Sequence, residues 1–256
     1  MLLAIDVGNT QTVVGLYDGE RLADHWRTAS VRSQTADELA VELAGLLAVR
    51  GRSFADIDAT VASSGVPQLS VELAGMARSY FGHEALILAP GVKTGLPLMV
   101  DNPHEVGPDR VANCVAALSL RPAPLIVVDF GTAINFDAVS AAGEFVGGAI
   151  APGVEVSMQA LGERAARLFG IELAAPRAAI GRNTVENMQS GAIFGCAGLV
   201  DGLVGRIGGE LGGDVRAIAT GGLAGVIAPH CATIDSVEPW LTLEGLRLIW
   251  ERNQPA

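Results

Sequence analysis

The chain has 256 residues, of which 50% are hydrophobic and 18% are charged, and its formal net charge is −11. This composition excludes a disordered or collagen-like protein, and a chain of this length buries a sizeable core. Because no run of lysine or arginine offsets the negative charge, we expect neither nucleic acid nor an anionic membrane surface as a partner.

Three cysteines, Cys114, Cys196 and Cys231, lie far apart in the sequence. An odd number of widely spaced cysteines is typical of free thiols in a reducing compartment and argues against a zinc site. The N-terminus reaches Asp6 too soon for a signal peptide, and glycine, proline or a charge interrupts the longest apolar stretches before about 18 residues. We therefore expect a cytoplasmic protein with no membrane-spanning segment.

The first half of the chain opens with a strand that runs into Asp6-Val7-Gly8-Asn9-Thr10. Asp18-Gly19 between two apolar runs predicts a hairpin turn. Thr35 and Glu38 have the spacing of a capping box and predict the start of a helix. The other elements predicted in this half are strands at 2–5, 12–17, 22–26, 57–64 and 85–88, helices at 71–80 and 111–118, and an irregular stretch at 91–110.

The second half repeats this opening with an offset of 123 residues. A strand at 125–128 ends in Asp129-Phe130-Gly131-Thr132-Ala133, and two more strands follow around a turn at Gly143. The repeat predicts two related domains, residues 1–118 and 119–256. The later predicted elements are a helix near 154–168, a helix capped by Asn183 or Thr184 and running to about 207, a strand at 215–219 before Gly221-Gly222, and a closing helix at 243–250.

The two aspartate loops favour a nucleotide site. A glycine directly after a strand lets the backbone approach a phosphate, and an aspartate at a strand end can hold a cation that meets the phosphates. Asp6 and Asp129 are thus a candidate pair for one nucleotide, although an aspartate after a strand, taken alone, is more often an ordinary turn or cap. The sequence has neither the P-loop motif nor a dinucleotide-binding fingerprint after its first strand.

These loops resemble those of the actin-like, hexokinase-like ATPase superfamily, and further motifs narrow the resemblance to the type III pantothenate kinases. The motifs that carry it, besides the two aspartate loops, are Trp26-Arg27-Thr28, Thr35-Ala36-Asp37-Glu38, Gly91-Val92-Lys93-Thr94-Gly95, Asp101-Asn102-Pro103, Glu105-Val106-Gly107 with Asp109-Arg110, and Gly147 to Gly153. The resemblance implies an α/β fold of two ribonuclease-H-like domains, each a mixed sheet flanked by helices, with the nucleotide cleft between them. It implies an enzyme that phosphorylates pantothenate with ATP, the first step of coenzyme A biosynthesis.

The resemblance also implies the site residues. Asp109 matches the family's proton acceptor, and the positions implied to bind pantothenate are Val100, Gly107, Pro108, Asp109, Arg110 and Thr184. Those implied to bind ATP are Asp6, Val7, Gly8, Asn9, Thr10, Gln11, Thr12, Val13, Thr132, Gly221 and Gly222. Asp6 would lie near Mg²⁺, and Asp129 would bind a monovalent cation, K⁺ or NH₄⁺. The family forms homodimers in which the second subunit completes the pantothenate pocket, so a homodimer is expected.

Two positions depart from the family pattern: Val100 stands where tyrosine is frequent, and Pro108 where alanine is usual. Both departures bear on the affinity for pantothenate more than on the type of reaction. Without the other motifs, Asp109-Arg110 reads as a surface ion pair before a helix, Thr184 as a helix cap and Gly221-Gly222 as a simple turn. The alternative function is a noncatalytic nucleotide-binding regulatory protein on the same scaffold. A kinase acting on a sugar or on acetate is a third, less supported hypothesis.

Overall fold

The protein is described here by a computed structural model that covers residues 1–164 and 171–255. Its α/β chain divides into two compact units, each containing one five-stranded mixed sheet. The first unit comprises Met1–Gly95, Asn102–Ala116 and Leu241–Ala256, and the second comprises Leu96–Asp101 and Ala117–Trp240.

The first sheet is built around a central strand that pairs on both sides. Its strands are β1 (Leu2–Val7), β2 (Gln11–Asp18), β3 (Arg21–Ala29), β4 (Ala59–Ser64) and β5 (Leu86–Ile87), in the order β3-β2-β1-β4-β5. β1 runs antiparallel to β2 and parallel to β4. The predicted hairpin turn is confirmed, because Gly19 has a φ of +60° between β2 and β3, a conformation that glycine adopts without steric cost.

The second sheet repeats the topology of the first. Its strands are β6 (Leu125–Phe130), β7 (Ala133–Val139), β8 (Phe145–Pro152), β9 (Arg216–Thr220) and β10 (Ser236–Val237), in the order β8-β7-β6-β9-β10. β6 runs antiparallel to β7 and parallel to β9, as β1 does to β2 and β4. The internal repeat predicted from the sequence thus reappears as two sheets with the same strand order.

Helices cover these sheets. They are α1 (Ala36–Val49), α2 (Pro67–Met76), α3 (Pro108–Leu120), α4 (Val154–Arg164), α5 (Thr184–Leu211), α6 (Ala224–Ile227) and α7 (Leu241–Arg252). The predicted capping box is present at α1, where Thr35 and Glu38 bond each other's backbone N–H groups. Residues 165–168 of the helix predicted near 154–168 lie outside the described residues.

The start of α3 corrects one expectation. The irregular stretch predicted over 91–110 ends at Gly107, whose carbonyl accepts the first helical hydrogen bond, from Val111 N–H at 3.2 Å. Pro108 is the first helical residue, a position where its fixed φ suits a helix and its missing N–H removes no helical bond. Asp109 and Arg110 therefore lie on the first turn of a helix.

The two units differ from the predicted division into residues 1–118 and 119–256 at three places, the smallest being Ala117 and Leu118, which group with the second unit. Helix α7 groups with the first unit, because its buried leucines pack against β1 and β4. Leu96–Asp101 groups with the second unit. This segment runs along β8, where Met99 N–H donates to the Phe145 carbonyl at 2.8 Å and Phe145 N–H donates to the Pro97 carbonyl at 2.9 Å.

Helix α5 is the longest in the described part of the chain, with 28 residues. Its buried side chains, among them Ile193 and Val200, form one core cluster with Val128 of β6 and Phe136 of β7. By length and composition it is the one described helix that matches a membrane span, with 33% of its most apolar stretch buried. Long core helices meet the same criteria, so the expected lack of a membrane span stays a prediction.

Candidate functional site

The first aspartate loop is a tight turn that begins at the end of β1. Asp6 is half-buried there, and Gly8 N–H donates to the Gln11 carbonyl at 3.0 Å. A Cβ on Gly8 would lie 2.9 Å from that same oxygen, so no larger residue fits without a shift. The exposed Asn9 and Thr10 form the outer part of the turn. An acid followed by exposed backbone in this arrangement suits a cation and phosphate oxygens.

The loop residues predicted to bind ATP do not all face one way. Asp6 and Val13 are cross-strand partners and share one face of the sheet. Val7 is only 1% exposed and belongs to the core cluster on the opposite face. Only its backbone is therefore available to a ligand. Thr12 is also on that opposite face, where its hydroxyl bonds the Ser30 hydroxyl at 2.8 Å.

Ser63 contacts a candidate site residue, and the sequence analysis did not single it out. Its hydroxyl donates to Asp6 Oδ1 at 2.5 Å, and the side chain is completely buried. The two residues are cross-strand partners on the parallel strands β4 and β1. Since parallel neighbours end at the same edge of a sheet, the serines that end the predicted strand at 57–64 were the available signal.

The second aspartate loop lies against the glycine loop that follows β9. Asp129 pairs with Thr220 across β6 and β9, and Gly221 has a φ of +94°. A Cβ on Gly221 would lie 2.4 Å from Asp129 Oδ1 and 2.7 Å from the Phe130 backbone. The structure thus brings Asp129 and Gly221 together within the second unit. The neighbouring Gly222 is exposed.

Thr132 is exposed in the second aspartate loop, and its carbonyl accepts a hydrogen bond from Gly153 N–H at 3.1 Å. A Cβ on Gly153 would approach that carbonyl oxygen to 2.3 Å. The glycine at the end of the Gly147 to Gly153 motif therefore allows close contact with the loop, which links two of the motifs that the sequence analysis singled out.

The predicted catalytic segment is compact. Gly107, Pro108, Asp109 and Arg110 are all half-buried. A Cβ on Gly107 would lie 2.4 Å from Asp109 Oδ1, which shows that the carboxylate folds back over the glycine at the start of α3. An acidic side chain in the first helical turn is favoured by the unpaired N–H groups there. The segment therefore holds the carboxylate in a defined place.

The remaining predicted pantothenate contacts lie in the second unit. Val100 is half-buried, with its side chain 3.9 Å from the position of a Cβ on Gly147. Thr184 is exposed at the start of α5. Asn183, and not Thr184, caps the helix, because its side chain accepts from Glu186 N–H at 3.0 Å, which leaves the Thr184 hydroxyl outside the capping bond.

Thr184 borders an apolar groove of about 520 Å³ between α4 and α5, which also includes Met158, Leu161, Met188 and Leu199. We name it the α4–α5 groove. Within the described ranges 1–164 and 171–255, no group of three or more histidine, cysteine or acidic side chains could hold a metal ion by itself.

Solved structures similar to this chain establish its fold. A conserved protein of Campylobacter jejuni assigned to the Baf family of transcriptional activators matches with a TM-score of 0.62 at 18% identity and covers 98% of both chains. Component A of (R)-2-hydroxyglutaryl-CoA dehydratase from Acidaminococcus fermentans matches with a TM-score of 0.54 at 16% identity, over 97% of this chain and 95% of its own. The polyphosphate/ATP-glucomannokinase of an Arthrobacter strain matches with a TM-score of 0.51 at 14% identity, over 98% and 99%. The fold class predicted from the sequence is confirmed.

Residues 2–206 match the sequence model of the type III pantothenate kinases. The chain belongs to this family. Among curated type III pantothenate kinases, that of Streptomyces avermitilis is 54% identical over 99% of this chain and 98% of its own length. Those of Thermobifida fusca and Geotalea uraniireducens are 51% and 49% identical at similar coverage. The predicted family and the prediction of a kinase are confirmed.

Proposed function

We propose that this protein transfers the terminal phosphoryl group of ATP to the primary hydroxyl of pantothenate, the first step of coenzyme A biosynthesis. The observation that carries the proposal is membership of the type III pantothenate kinases together with the half-buried carboxylate of Asp109 at the start of α3. The hydroxyl must lose its proton as it attacks phosphorus, and a positioned carboxylate can accept that proton.

Pantothenate would bind through the segment that holds this carboxylate. Gly107 and Pro108 leave room for the substrate backbone, and Arg110 supplies a positive charge for its carboxylate. Val100 and Thr184 are the other proposed contacts. Because Val100 offers only van der Waals contact, we expect polar recognition of pantothenate to rest on Arg110 and Thr184.

ATP would bind along the loop from Asp6 to Val13, with Thr132, Gly221 and Gly222 as further contacts. Asp6 fits the divalent cation that a kinase requires, because Mg²⁺ is usually held by one or two carboxylates together with substrate phosphates. When bound, the cation neutralises charge on the transferring phosphoryl group. Ser63 would orient the Asp6 carboxylate through the 2.5 Å hydrogen bond.

Asp129 is the proposed ligand of a monovalent cation, K⁺ or NH₄⁺. Its carboxylate is half-buried and close to the backbone of the Gly221 turn. Carboxylate oxygens are among the ligands that hard cations prefer. The preference is testable by titrating activity against K⁺, NH₄⁺ and Na⁺.

A homodimer is part of the same proposal. The α4–α5 groove is apolar, and Leu161 and Leu199 at its rim are 44% and 38% exposed. A contiguous apolar surface of this kind is typical of protein interfaces. Thr184 borders the groove, so a second subunit seated there would meet a proposed pantothenate contact. A cytoplasmic, reducing location fits the three free cysteines of the described chain.

The deciding experiment measures ADP release with and without pantothenate, with the phosphorylated product identified by mass spectrometry. We expect pantothenate-dependent turnover in the wild type and a loss of about 10²–10⁴-fold in kcat for Asp109→Asn, with ATP affinity unchanged. Asp18→Asn, an exposed acid in the β2–β3 turn, is the matched control. ATP binding without turnover in the wild type would instead favour the noncatalytic regulatory alternative.

A further inference from the structure

Two arginines reach the outer side of the first aspartate loop. Arg32, in the connection between β3 and α1, donates from Nη2 to Asn9 Oδ1 at 3.2 Å. Arg27, on β3, donates from Nη1 to Gln11 Oε1 at 3.0 Å. Both contacts involve residues of the loop proposed to bind ATP phosphates. The arginines themselves lie outside that loop, Arg27 on β3 and Arg32 in the connection after it.

Arg27 also shares a face of the sheet with Asp6. Asp6 pairs with Val13, and Val13 pairs with Arg27, and cross-strand partners point to the same side. Two strand spacings separate Asp6 from Arg27, about 10 Å. The long arginine side chain and one phosphate group can bridge that span, so a phosphate beside Asp6 lies within range of the guanidinium.

The segment that carries both arginines is fastened to the loop. Ser30 N–H donates to the Thr10 carbonyl at 2.9 Å, and the Ser30 and Thr12 hydroxyls are 2.8 Å apart. The strand pairing continues directly into this region, since Gln11 pairs with Ala29. Arg27 and Arg32 are therefore held in a fixed relation to the phosphate loop and do not depend on a distant part of the fold.

The two arginines matter for phosphate binding because the molecule as a whole is negatively charged. The chain carries a net charge of −11 and has one lysine, Lys93, so an ATP polyphosphate gains little from the protein's overall field. Arg27 and Arg32 are exposed, and among the described residues neither guanidinium has a further hydrogen-bond partner beyond the loop amide. Each thus keeps N–H donors in the fork geometry that matches phosphate oxygens.

We infer that Arg27 and Arg32 bind the phosphates of ATP and form the outer side of its phosphate site. This inference rests on the proposed function, because it takes the Asp6 loop as the place of the phosphates. Asn9 and Gln11 hold the two guanidiniums beside the loop through these hydrogen bonds. The arginines act on the polyphosphate and not on the adenosine, which separates their role from a general contribution to the fold.

The test measures dissociation constants for ATP, ADP and adenosine by calorimetry on the full-length wild type and on Arg27→Ala and Arg32→Ala. We expect each variant to weaken ATP binding about tenfold, the loss typical of one charge-assisted hydrogen bond, and to leave adenosine binding within about twofold. Arg27→Lys and Arg32→Lys should recover part of the affinity, since they restore the charge without the fork.

Arg21→Ala is the matched control, because Arg21 lies on the same strand at its far end and is 73% exposed beside Asp18. It should bind all three ligands as the wild type does. Unchanged ATP affinity in Arg27→Ala and Arg32→Ala overturns the inference, and so does an equal loss for adenosine. A loss confined to one variant overturns the assignment of the other arginine.

Wild-type measurements separate this inference from the proposed function. If the wild type binds ATP with the expected arginine dependence but does not phosphorylate pantothenate, the proposed function fails alone. If it phosphorylates pantothenate and both alanine variants bind ATP normally, the inference fails alone. If it does not bind ATP, both fail.

Discussion

The side chain of Asn253, at the end of the chain, binds both the N–H and the carbonyl of Lys93, 160 residues earlier. Lys93 N–H donates to Asn253 Oδ1 at 3.2 Å, and Asn253 Nδ2 donates to the Lys93 carbonyl at 3.0 Å. Arg252 adds a hydrogen bond to the Thr94 carbonyl. The last residue of α7 and the residue after it therefore fix the loop that leads into Leu96–Asp101.

This contact predicts a single site of proteolytic sensitivity. Because Lys93 is the only lysine of the chain, endoproteinase Lys-C can cut only there. Asn253→Ala removes two hydrogen bonds to the loop, and we expect cleavage to residues 1–93 and 94–256 to accelerate about five- to thirtyfold. Gln254→Ala, which loses only a bond within its own helix turn, serves as the control, and equal rates for the two variants would contradict the prediction.

Gly107→Ala should damage catalysis while sparing the fold. The three atoms nearest to the added Cβ belong to the side chains of Asp109 and Arg110, so these side chains can move aside at little cost in the free energy of unfolding. Because Asp109 is the proposed proton acceptor, its displacement should lower kcat by about 10²-fold. Steady-state kinetics and a thermal melt check this together. Gly45→Ala on α1, where nothing lies within 4 Å, should retain full activity and gain up to about 1 kcal/mol of stability.

Gly221→Ala, in contrast to Gly107→Ala, should lower the stability of the fold. Its Cβ would press on the Phe130 backbone as well as on Asp129, and its φ of +94° disfavours any side chain. We expect a loss of about 1–3 kcal/mol in the free energy of unfolding, together with weaker dependence of activity on the monovalent cation. Urea titration measures the stability. Gly225→Ala, in open space on α6, should unfold as the wild type does.

Asp201 on α5 predicts a pH effect on stability. Burial raises the pKa of its carboxyl, but hydrogen bonds from Ala232 N–H and from the N–H and hydroxyl of Thr233 outweigh that effect and hold the pKa below its ordinary 3.8. A lowered folded-state pKa stabilises the protein above the unfolded value, and the gain is lost as the pH falls below it.

We therefore expect Asp201→Asn to lower the free energy of unfolding at pH 7 by about 1–3 kcal/mol and to flatten its decline between about pH 5 and pH 3. Thermal melts across that range measure both effects. Glu210→Gln, an exposed acid on the same helix, should follow the wild-type pH profile. A parallel decline for Asp201→Asn would show that this carboxylate is not the titrating group.

Local signals in the sequence predicted local structure well. The capping box of Thr35 and Glu38 and the glycine turn of the first hairpin are both present, because the atoms that determine them lie within a few residues of each other. The irregular stretch predicted over 91–110 was extended too far, because α3 begins at Pro108. Proline is common both in loops and at the first position of a helix, so the sequence did not decide between them.

Contacts between distant parts of the chain were beyond the sequence analysis. The hydrogen bond from Ser63 to Asp6 joins residues 57 positions apart. The hydrogen bonds between Asn253 and Lys93 join residues 160 positions apart. No periodicity or turn chemistry encodes such pairs, which depend on strand order and on where the last helix packs. The residues named by resemblance could be placed, but Arg27 and Arg32 beside the first aspartate loop could be found only from the register of β2 and β3 and the hydrogen bonds to Asn9 and Gln11.

The packing of α7 against β1 and β4 has a consequence for synthesis. The first unit begins with β1 but completes its core with Leu243, Leu246 and Ile249, which lie more than 230 residues further along the chain. The apolar surface of β1 therefore stays uncovered during synthesis until the ribosome has made α7, and a chain that stops before α7 cannot bury it.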